Sequence, residues 1–149
     1  MADLGVLGVV QPGFVDHMGG AVEGFDLDDA SWLAFGDLAE AGVRLAGSSD
    51  GPCTFNAPLL TSARGVTRLT SKGTVIDESQ SLPYEDWLDA YTAGAAFAGG
   101  QEHERGRLAP GLQADLVVLD GPLDARHPPS VDETWVAGAR VFTREDRRP

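Results

Sequence analysis

A short turn carries the strongest chemical signal in this sequence. The segment Gly47–Pro52 reads Gly-Ser-Ser-Asp-Gly-Pro and directly follows the apolar run Val43–Gly47. A carboxylate at the end of a rigid strand can bind a divalent cation through one oxygen and accept a proton from water through the other. Asp50 is therefore a candidate metal ligand and catalytic residue. The tripeptide Ser-Asp-Gly is also typical of a structural turn or a helix N-cap, and that alternative stays open.

Other reactive side chains carry weaker signals. His17, His103 and His127 are the histidines of the chain, and no two of them have the spacing of metal ligands. A solvated surface position is the simpler interpretation of each. Cys53 has no evident histidine partner, so we interpret it as a small packed residue and not as a nucleophile. Arg68 could contact a substrate or shape the loop after the turn, and a surface or helix-end position is the alternative.

The elements around Asp50 alternate between strands and helices. The runs 4–10 and 43–47 predict short buried strands, and Pro12 ends the first because it cannot donate to a ladder. Residues 13–24 are predicted to be a glycine-rich loop, with helix N-cap candidates after it at 26–31. Helices are predicted where apolar stripes lie between start and stop signals: over 31–41, over 58–69, and from Ser81 to Gly99. This alternation favours parallel βαβ units.

The last third of the chain consists of strands and turns. Pro110-Gly111 is a turn dipeptide, and the unbroken apolar run Leu116–Leu119 predicts a strand buried on both faces. Arg107-Leu108 can be the end of a strand before that turn. Two further strands, 133–137 and 139–142, are separated by a glycine at 138. The order predicts an α/β chain whose closing strands form a separate small β-layer.

Composition disfavours several classes of partner. The net charge of −12 argues against electrostatic binding of nucleic acid or of an anionic membrane. A single cysteine excludes an intramolecular disulfide and is compatible with a reducing cytoplasm. We find no signal peptide and no apolar run long enough to span a membrane, so we expect a cytoplasmic protein. Ten arginines against one lysine, with abundant Gly and Ala, indicate a GC-rich bacterial genome.

The sequence resembles a known family in two ways. The run from Gly106 to Asp120 reads Gly-x-Leu-x-Pro-Gly-x-x-Ala-Asp-Leu-Val-Val-Leu-Asp and closely resembles the C-terminal return of the metal-dependent amidohydrolase superfamily. The order of elements along nearly all of the chain resembles the amidohydrolase 3 branch, which includes N-substituted formamide deformylase-like enzymes. The matching elements are Val9–Pro12, Ala41–Val43, Gly47–Pro52, Pro58-Leu59, Val66–Arg68, Ala90–Thr92, Glu102 with Gly106, Pro110–Asp120, and Val136–Gly138 with Val141.

This resemblance implies a fold. Residues 4–11 would be the seventh and 43–49 the eighth strand of a TIM-type (β/α)8 barrel, whose C-terminal portion would be residues 1–104. Residues 105–149 would be return strands of a small β-sandwich. A TIM-type barrel needs about 250 residues, so we expect a missing N-terminal barrel portion as partner, with a homo-oligomer also open.

The resemblance also implies an activity. Members hydrolyse carbon–nitrogen bonds other than peptide bonds, such as amides and formamides, through metal-activated water. Asp50 matches their eighth-strand aspartate, a metal ligand and proton shuttle. His17 and Arg68 would lie near a small-molecule substrate, His17 because its loop would face the active-site end of the barrel. Zinc, or another divalent ion, would be held mainly by histidines that in the family precede the position of Met1, so the isolated chain is expected to be inactive.

Two other interpretations remain. The chain could be a truncated, non-catalytic remnant that acts as a binding or complementing module, in which case its two parallel strands would expose apolar edges. It could also be an unrelated small α/β binding protein. The second interpretation requires that strands 4–11 and 43–49 are not parallel neighbours.

Overall fold

The site is built on a pair of parallel strands. The structure is a computed structural model, and it describes residues 1–22 and 32–147. Strand β1 (Gly8–Val10) pairs in parallel with β2 (Leu45–Gly47). The strands predicted over 4–10 and 43–47 are thus parallel neighbours, although both are shorter than expected. Residues Ala2–Leu4 instead form a 3-10 turn that ends at Gly5 with a φ of 64°.

Helices follow both strands along the chain. They are α1 (Phe14–Val22), α2 (Phe35–Glu40), α3 (Pro58–Thr67) and α4 (Tyr84–Asp89), and α4 continues through a π-helical turn at Ala90–Gly94 into α5 (Ala95–Ala98). Proline opens α3 at its first turn, where a missing N–H leaves no hydrogen bond unmade. The predicted helices over 58–69 and 81–99 are confirmed within a few residues.

The prediction of a glycine-rich loop over Gly13–Gly24 is wrong. The chain is helical from Phe14 to Val22, and the last two residues of the predicted loop lie outside the described residues. Fully buried Val15 anchors the helix in the core. Gly19 is needed for close packing, because a Cβ there would lie 2.5 Å from the Thr70 methyl group. Helix α1 is therefore stabilised by tertiary contact, which overrides the low helix propensity of glycine.

The helix predicted over 31–41 is confirmed in part. Its described portion, α2, spans Phe35–Glu40 and buries the Phe35 ring. The N-cap candidates at 26–31 lie outside the described residues.

The second sheet is antiparallel. Its order is β3 (Leu116–Leu119), β4 (Val131–Val136), β5 (Ala139–Thr143), and Gly138 turns the hairpin between the last two with a φ of 77°. The two strands predicted around position 138 are confirmed. The division of the chain at residues 104 and 105 remains a prediction.

Two expectations for this sheet are wrong. Arg107-Leu108 ends no strand, because Arg107 lies in a bend and Leu108 has no regular secondary structure. Strand β3 is not buried on both faces, since Val117 and Val118 are 50% and 42% exposed. A doubly covered strand needs a packed layer on each side. β3 lies at the edge of a three-stranded sheet, and the described residues do not cover these two side chains.

The hydrophobic core lies between the helices and the parallel pair. The Trp87 side chain is fully buried and meets the Phe35 ring edge-on, with ring centres 5.0 Å apart. Helix α3 comes close to α4 because Gly65 has no side chain, and a Cβ there would overlap the Trp87 indole. The Val10 side chain of β1 packs in the same cluster. None of the helices in the described ranges is long and apolar enough to cross a membrane.

Acidification should loosen the start of β3. The Asp115 carboxylate accepts hydrogen bonds from the Ala137 N–H at 2.8 Å and from the Gln113 amide, and these, with the Ala137 bond first, hold its pKa below the usual value. Because the pKa of Asp115 is lower in the folded chain, its carboxylate stabilises the fold fully at pH values above its unfolded-state pKa of about 4. That stability is lost as the pH falls through the folded-state value.

We therefore expect the Ala137 amide proton to exchange faster, relative to its intrinsic rate, once the pH falls below about 4. Hydrogen exchange followed by NMR between neutral and acid pH measures this. In Asp115→Asn the pH dependence should disappear, whereas exposed Asp86→Asn should leave it unchanged. Equal protection of Ala137 at neutral and acid pH in the unsubstituted chain would contradict the expectation.

Candidate active site

The candidate site lies at the carboxyl edge of the parallel pair. The Ser48 N–H donates to the Val10 carbonyl at 2.9 Å, so the chain leaves both strands at the same edge. Functional side chains in parallel α/β folds collect at this edge because the loops there are free to vary. Asp50 follows β2 at this edge, as the sequence predicts.

The turn that carries Asp50 is held by several hydrogen bonds. The Asp50 N–H donates to the Ser48 hydroxyl at 3.3 Å, and its carbonyl accepts from the Cys53 N–H at 2.7 Å. The Thr54 hydroxyl donates to the Ser49 carbonyl, and the Ser49 hydroxyl donates to the Asn56 amide oxygen at 2.6 Å. Asp50 itself has a φ of 49°, in the left-handed region that aspartate tolerates better than most residues.

The Asp50 carboxylate is exposed and unpaired. Across residues 1–22 and 32–147 it makes no hydrogen bond and no ion pair. A free carboxylate on a constrained turn can ligate a cation or accept a proton, which is the chemistry that the sequence predicts for this position. A small cavity of about 150 Å³ lies beside the turn and is lined by Ser49, Phe55, Asn56, Ala57, Pro58 and Tyr91.

The three histidines are all exposed. His17 lies on α1, the helix that follows β1, and no hydrogen bond or ion pair joins it to Asp50 within the described ranges. His103 lies 3.6 Å from the Glu102 carboxylate, and His127 lies 3.2 Å from that of Asp124. None of the three histidines is hydrogen-bonded or ion-paired to Asp50 in the part of the chain that the structure describes. Cys53 is exposed as well, so the prediction that it is packed is wrong.

Arg68 lies in the interior, at the C-terminal end of α3. Its guanidinium donates to the carbonyls of Trp32, at 2.8 Å, and Leu33, at 3.3 Å, and its Nε donates to the Ile76 carbonyl. The side chain is fully buried, and burial lowers its pKa. Contact with a substrate would require these bonds to break, so the geometry favours the loop-shaping role. It also excludes the surface position.

Nearly the whole sequence is related to one protein family. The amidohydrolase family matches residues 1–142, which is nearly the whole chain. The chain belongs to the amidohydrolase family. The N-substituted formamide deformylase of Arthrobacter pascens is 30% identical over an alignment of 128 residues, which covers 83% of this chain and 24% of that protein.

Two solved structures are similar to this chain. An amidohydrolase from Thermotoga maritima MSB8 superimposes with a TM-score of 0.68 at 25% identity, over 96% of this chain and 33% of that one. An uncharacterized metal-dependent hydrolase from Pyrococcus horikoshii OT3 gives a TM-score of 0.65 at 30% identity, over 76% of this chain and 24% of that one. The chain spans about a quarter to a third of the length of these relatives.

The residues present do not form a metal site by themselves. In the part of the chain that the structure describes, no three His, Cys, Asp or Glu side chains are grouped so that they could hold an ion. A catalytic zinc usually takes three protein ligands. Asp50 can offer one carboxylate, so the other ligands of a metal site would have to lie outside the described residues.

Residue-by-residue reasoning from the sequence missed two side chains at the site. The Tyr91 hydroxyl donates to the Ser48 carbonyl at 3.0 Å, although it lies 43 residues further along the chain. Asn56 accepts from Ser49, as described above. The only sequence signal for Tyr91 is its place in Ala90–Thr92, one of the family-like elements, and that signal carries no role.

Proposed function

We propose that this amidohydrolase chain supplies the C-terminal part of a metal-dependent hydrolase that cleaves carbon–nitrogen bonds other than peptide bonds, with an amide or formamide as substrate. One observation carries the proposal: from a constrained turn at the carboxyl edge of two parallel strands, Asp50 presents a carboxylate that pairs with none of the described residues. The family match over residues 1–142 supports it, as does the formamide deformylase relative.

The same proposal places the chain in a larger fold. β1 and β2 would be the seventh and eighth strands of a (β/α)8 barrel formed by residues 1–104 together with further strands, and β3–β5 would belong to a β-sandwich of residues 105–149. The parallel register and the helices that follow each strand support the barrel. The exposed apolar side chains of β3 support a sandwich with a second layer, since such side chains gain stability when covered.

In this proposal Asp50 moves a proton. Its carboxylate takes a proton from the attacking water and passes it to the departing amine, which would otherwise leave as a poor anionic leaving group. A bound divalent ion, for which we propose zinc, would supply the acidity that makes water a nucleophile near neutral pH. Asp50 would be one ligand of that ion, and the remaining ligands would come from outside the described residues.

His17 and Arg68 have different proposed roles. His17 is exposed on the helix that follows β1, and we keep it as a substrate contact. For Arg68 we propose the loop-shaping role, because its guanidinium already binds three backbone carbonyls. A small-molecule substrate and a cytoplasmic location complete the proposal. The net charge of −12 supports a small molecule over nucleic acid or an anionic membrane as partner. The single cysteine is compatible with a reducing cytoplasm.

The isolated chain should retain no zinc and hydrolyse nothing. One carboxylate cannot replace the three ligands that catalytic zinc usually takes. The measurements are metal content by mass spectrometry after dialysis against zinc, and release of amine from a panel of N-substituted formamides and amides. Robust turnover by the isolated chain that is lost in Asp50→Ala would contradict this expectation.

The activity itself is tested with a longer protein. The DNA in frame before the Met1 codon is sequenced, and the longest product that contains this chain, the extended chain, is purified. We expect upstream codons for a His-x-His pair and later histidines, and zinc-dependent release of amine by the extended chain. A stop codon directly before Met1 would overturn the catalytic proposal.

That result would favour the binding or complementing module. One observation supports this second candidate: β1 has an edge that no described strand pairs with, and Leu4, Val6 and Val9, which lie on or before this strand, are 84%, 42% and 54% exposed. Such an edge favours association with another chain. Analytical ultracentrifugation of the isolated chain would then show whether it self-associates.

A further inference from the structure

Tyr91 connects the π-helical turn between α4 and α5 to the turn that carries Asp50. Its hydroxyl donates to the Ser48 carbonyl at 3.0 Å and lies 2.8 Å from the Thr61 hydroxyl. A carbonyl oxygen can only accept a hydrogen bond, so the single phenolic proton of Tyr91 is the one donated to Ser48. Thr61 must therefore donate to Tyr91, and its contacts of 3.2 Å with the carbonyls of Ala57 and Pro58 are the weaker alternatives.

The backbone is shaped to admit this ring. Tyr91 lies in the π-helical turn between α4 and α5, and such turns occur within helices often at functional sites. Gly47, the last residue of β2, has no side chain, and a Cβ there would lie 2.7 Å from the Tyr91 ring. Gly94, in the same π-helical turn, lies against the Leu45 carbonyl of β2 for the same reason. Small residues on both sides thus bring the ring against the end of the strand.

Tyr91 stays protonated in this position. Burial raises its pKa above the usual value, while the hydrogen bond with Thr61 lowers it by less. The phenol therefore remains a donor to Ser48 across the neutral range.

The Asp50 carboxylate depends on this backbone for its position. Its carboxylate makes no hydrogen bond or ion pair in residues 1–22 and 32–147, so its direction follows from the conformation of the turn. Ser48 also accepts the Asp50 N–H through its hydroxyl, at 3.3 Å. The tyrosine thus holds the residue to which the Asp50 backbone is bound.

We infer that Tyr91 is a positioning residue: through the Ser48 carbonyl it holds the turn in the conformation that aims the Asp50 carboxylate. The expected effect of Tyr91 on kcat rests on the proposed function. Its expected effect on the conformation of the turn does not, and is measured separately.

The structural test uses Tyr91→Phe in the isolated chain. Tyr84→Phe is the matched control, because the buried Tyr84 also donates through its hydroxyl to a carbonyl, that of Leu59 at 2.6 Å. Loss of one such bond should speed amide hydrogen exchange about five- to tenfold where it acts. We expect this at Asp50 and Cys53 in Tyr91→Phe and not in Tyr84→Phe, with β4 amides unchanged in both. Equal exchange at Asp50 in the two variants would overturn the inference.

The catalytic test uses the extended chain. In Tyr91→Phe we expect kcat to fall about tenfold with KM within about twofold, since only the aim of the proton acceptor changes. Tyr84→Phe should keep kcat within about twofold, while both variants lose a similar amount of melting temperature. Equal losses of kcat would overturn the positioning role. If Asp50→Asn leaves hydrolysis intact, the proposed function fails, and the exchange experiment still decides whether Tyr91 holds the turn.

Discussion

Asp50→Asn lowers kcat of the extended chain about a thousandfold, if Asp50 is the proton acceptor and donor of the reaction. Asparagine keeps the size and the turn conformation of aspartate but cannot take a proton from water. The substitution also weakens any bond to a cation, since an amide oxygen carries no charge. Initial rates of amine release at saturating substrate and zinc measure the effect, and metal content measures the contribution of ligation.

The control for Asp50→Asn is Asp86→Asn. Asp86 is an exposed carboxylate on α4, so its substitution makes the same change of net charge away from the turn. We expect its kcat to stay within about twofold of the unsubstituted protein. A loss below about tenfold in Asp50→Asn, with full metal content, would exclude a role in general acid–base catalysis.

Trp87→Ala lowers the free energy of unfolding by about 3–5 kcal/mol, the largest effect on stability that we expect from one substitution. The Trp87 side chain is fully buried, packs edge-on against Phe35 and lies on Gly65 of α3. Removing the indole therefore leaves a cavity between α3 and α4, and glycine at position 65 offers no atoms to fill it. Urea unfolding followed by circular dichroism measures the loss.

The control for Trp87→Ala is Trp135→Ala. Trp135 is only half-buried on β4, and its indole N–H donates to the Glu133 carboxylate at 2.8 Å. We expect a loss below about 2 kcal/mol, because less apolar surface leaves water there on folding. Equal losses in the two variants would contradict the assignment of the core to the helices and the parallel strand pair.

Local signals in the sequence predict most elements correctly. Proline at position 58 begins α3, and Gly138 turns the last hairpin, because these residues act through their own backbone angles. The apolar runs at β1 and β2 predict strands because this signal lies within the run itself and does not depend on the segments that pack around it. The position of Asp50 is predicted in the same way, because a carboxylate directly follows a predicted strand.

Contacts between distant segments decided the rest. The sequence predicts a loop where α1 lies, because the fit of Gly19 against Thr70 depends on two segments that are distant in the sequence. Arg68 ends in the interior because backbone carbonyls of Trp32, Leu33 and Ile76 converge on it. An apolar run predicts that a strand will be buried, but burial requires another layer that packs against it. The described residues provide no such layer over Val117 and Val118 of β3.

The sequence by itself determined the family and predicted Asp50 as the residue for the proposed chemistry, since both depend on residue types in order along the chain. Tertiary structure alone decided what surrounds that residue. The Tyr91 hydroxyl reaches Ser48 from 43 residues away, through a π-helical turn and a glycine that no local pattern predicts. Hydrogen bonds of this kind form only when the fold brings their two ends together, so they cannot be inferred from spacing in the sequence.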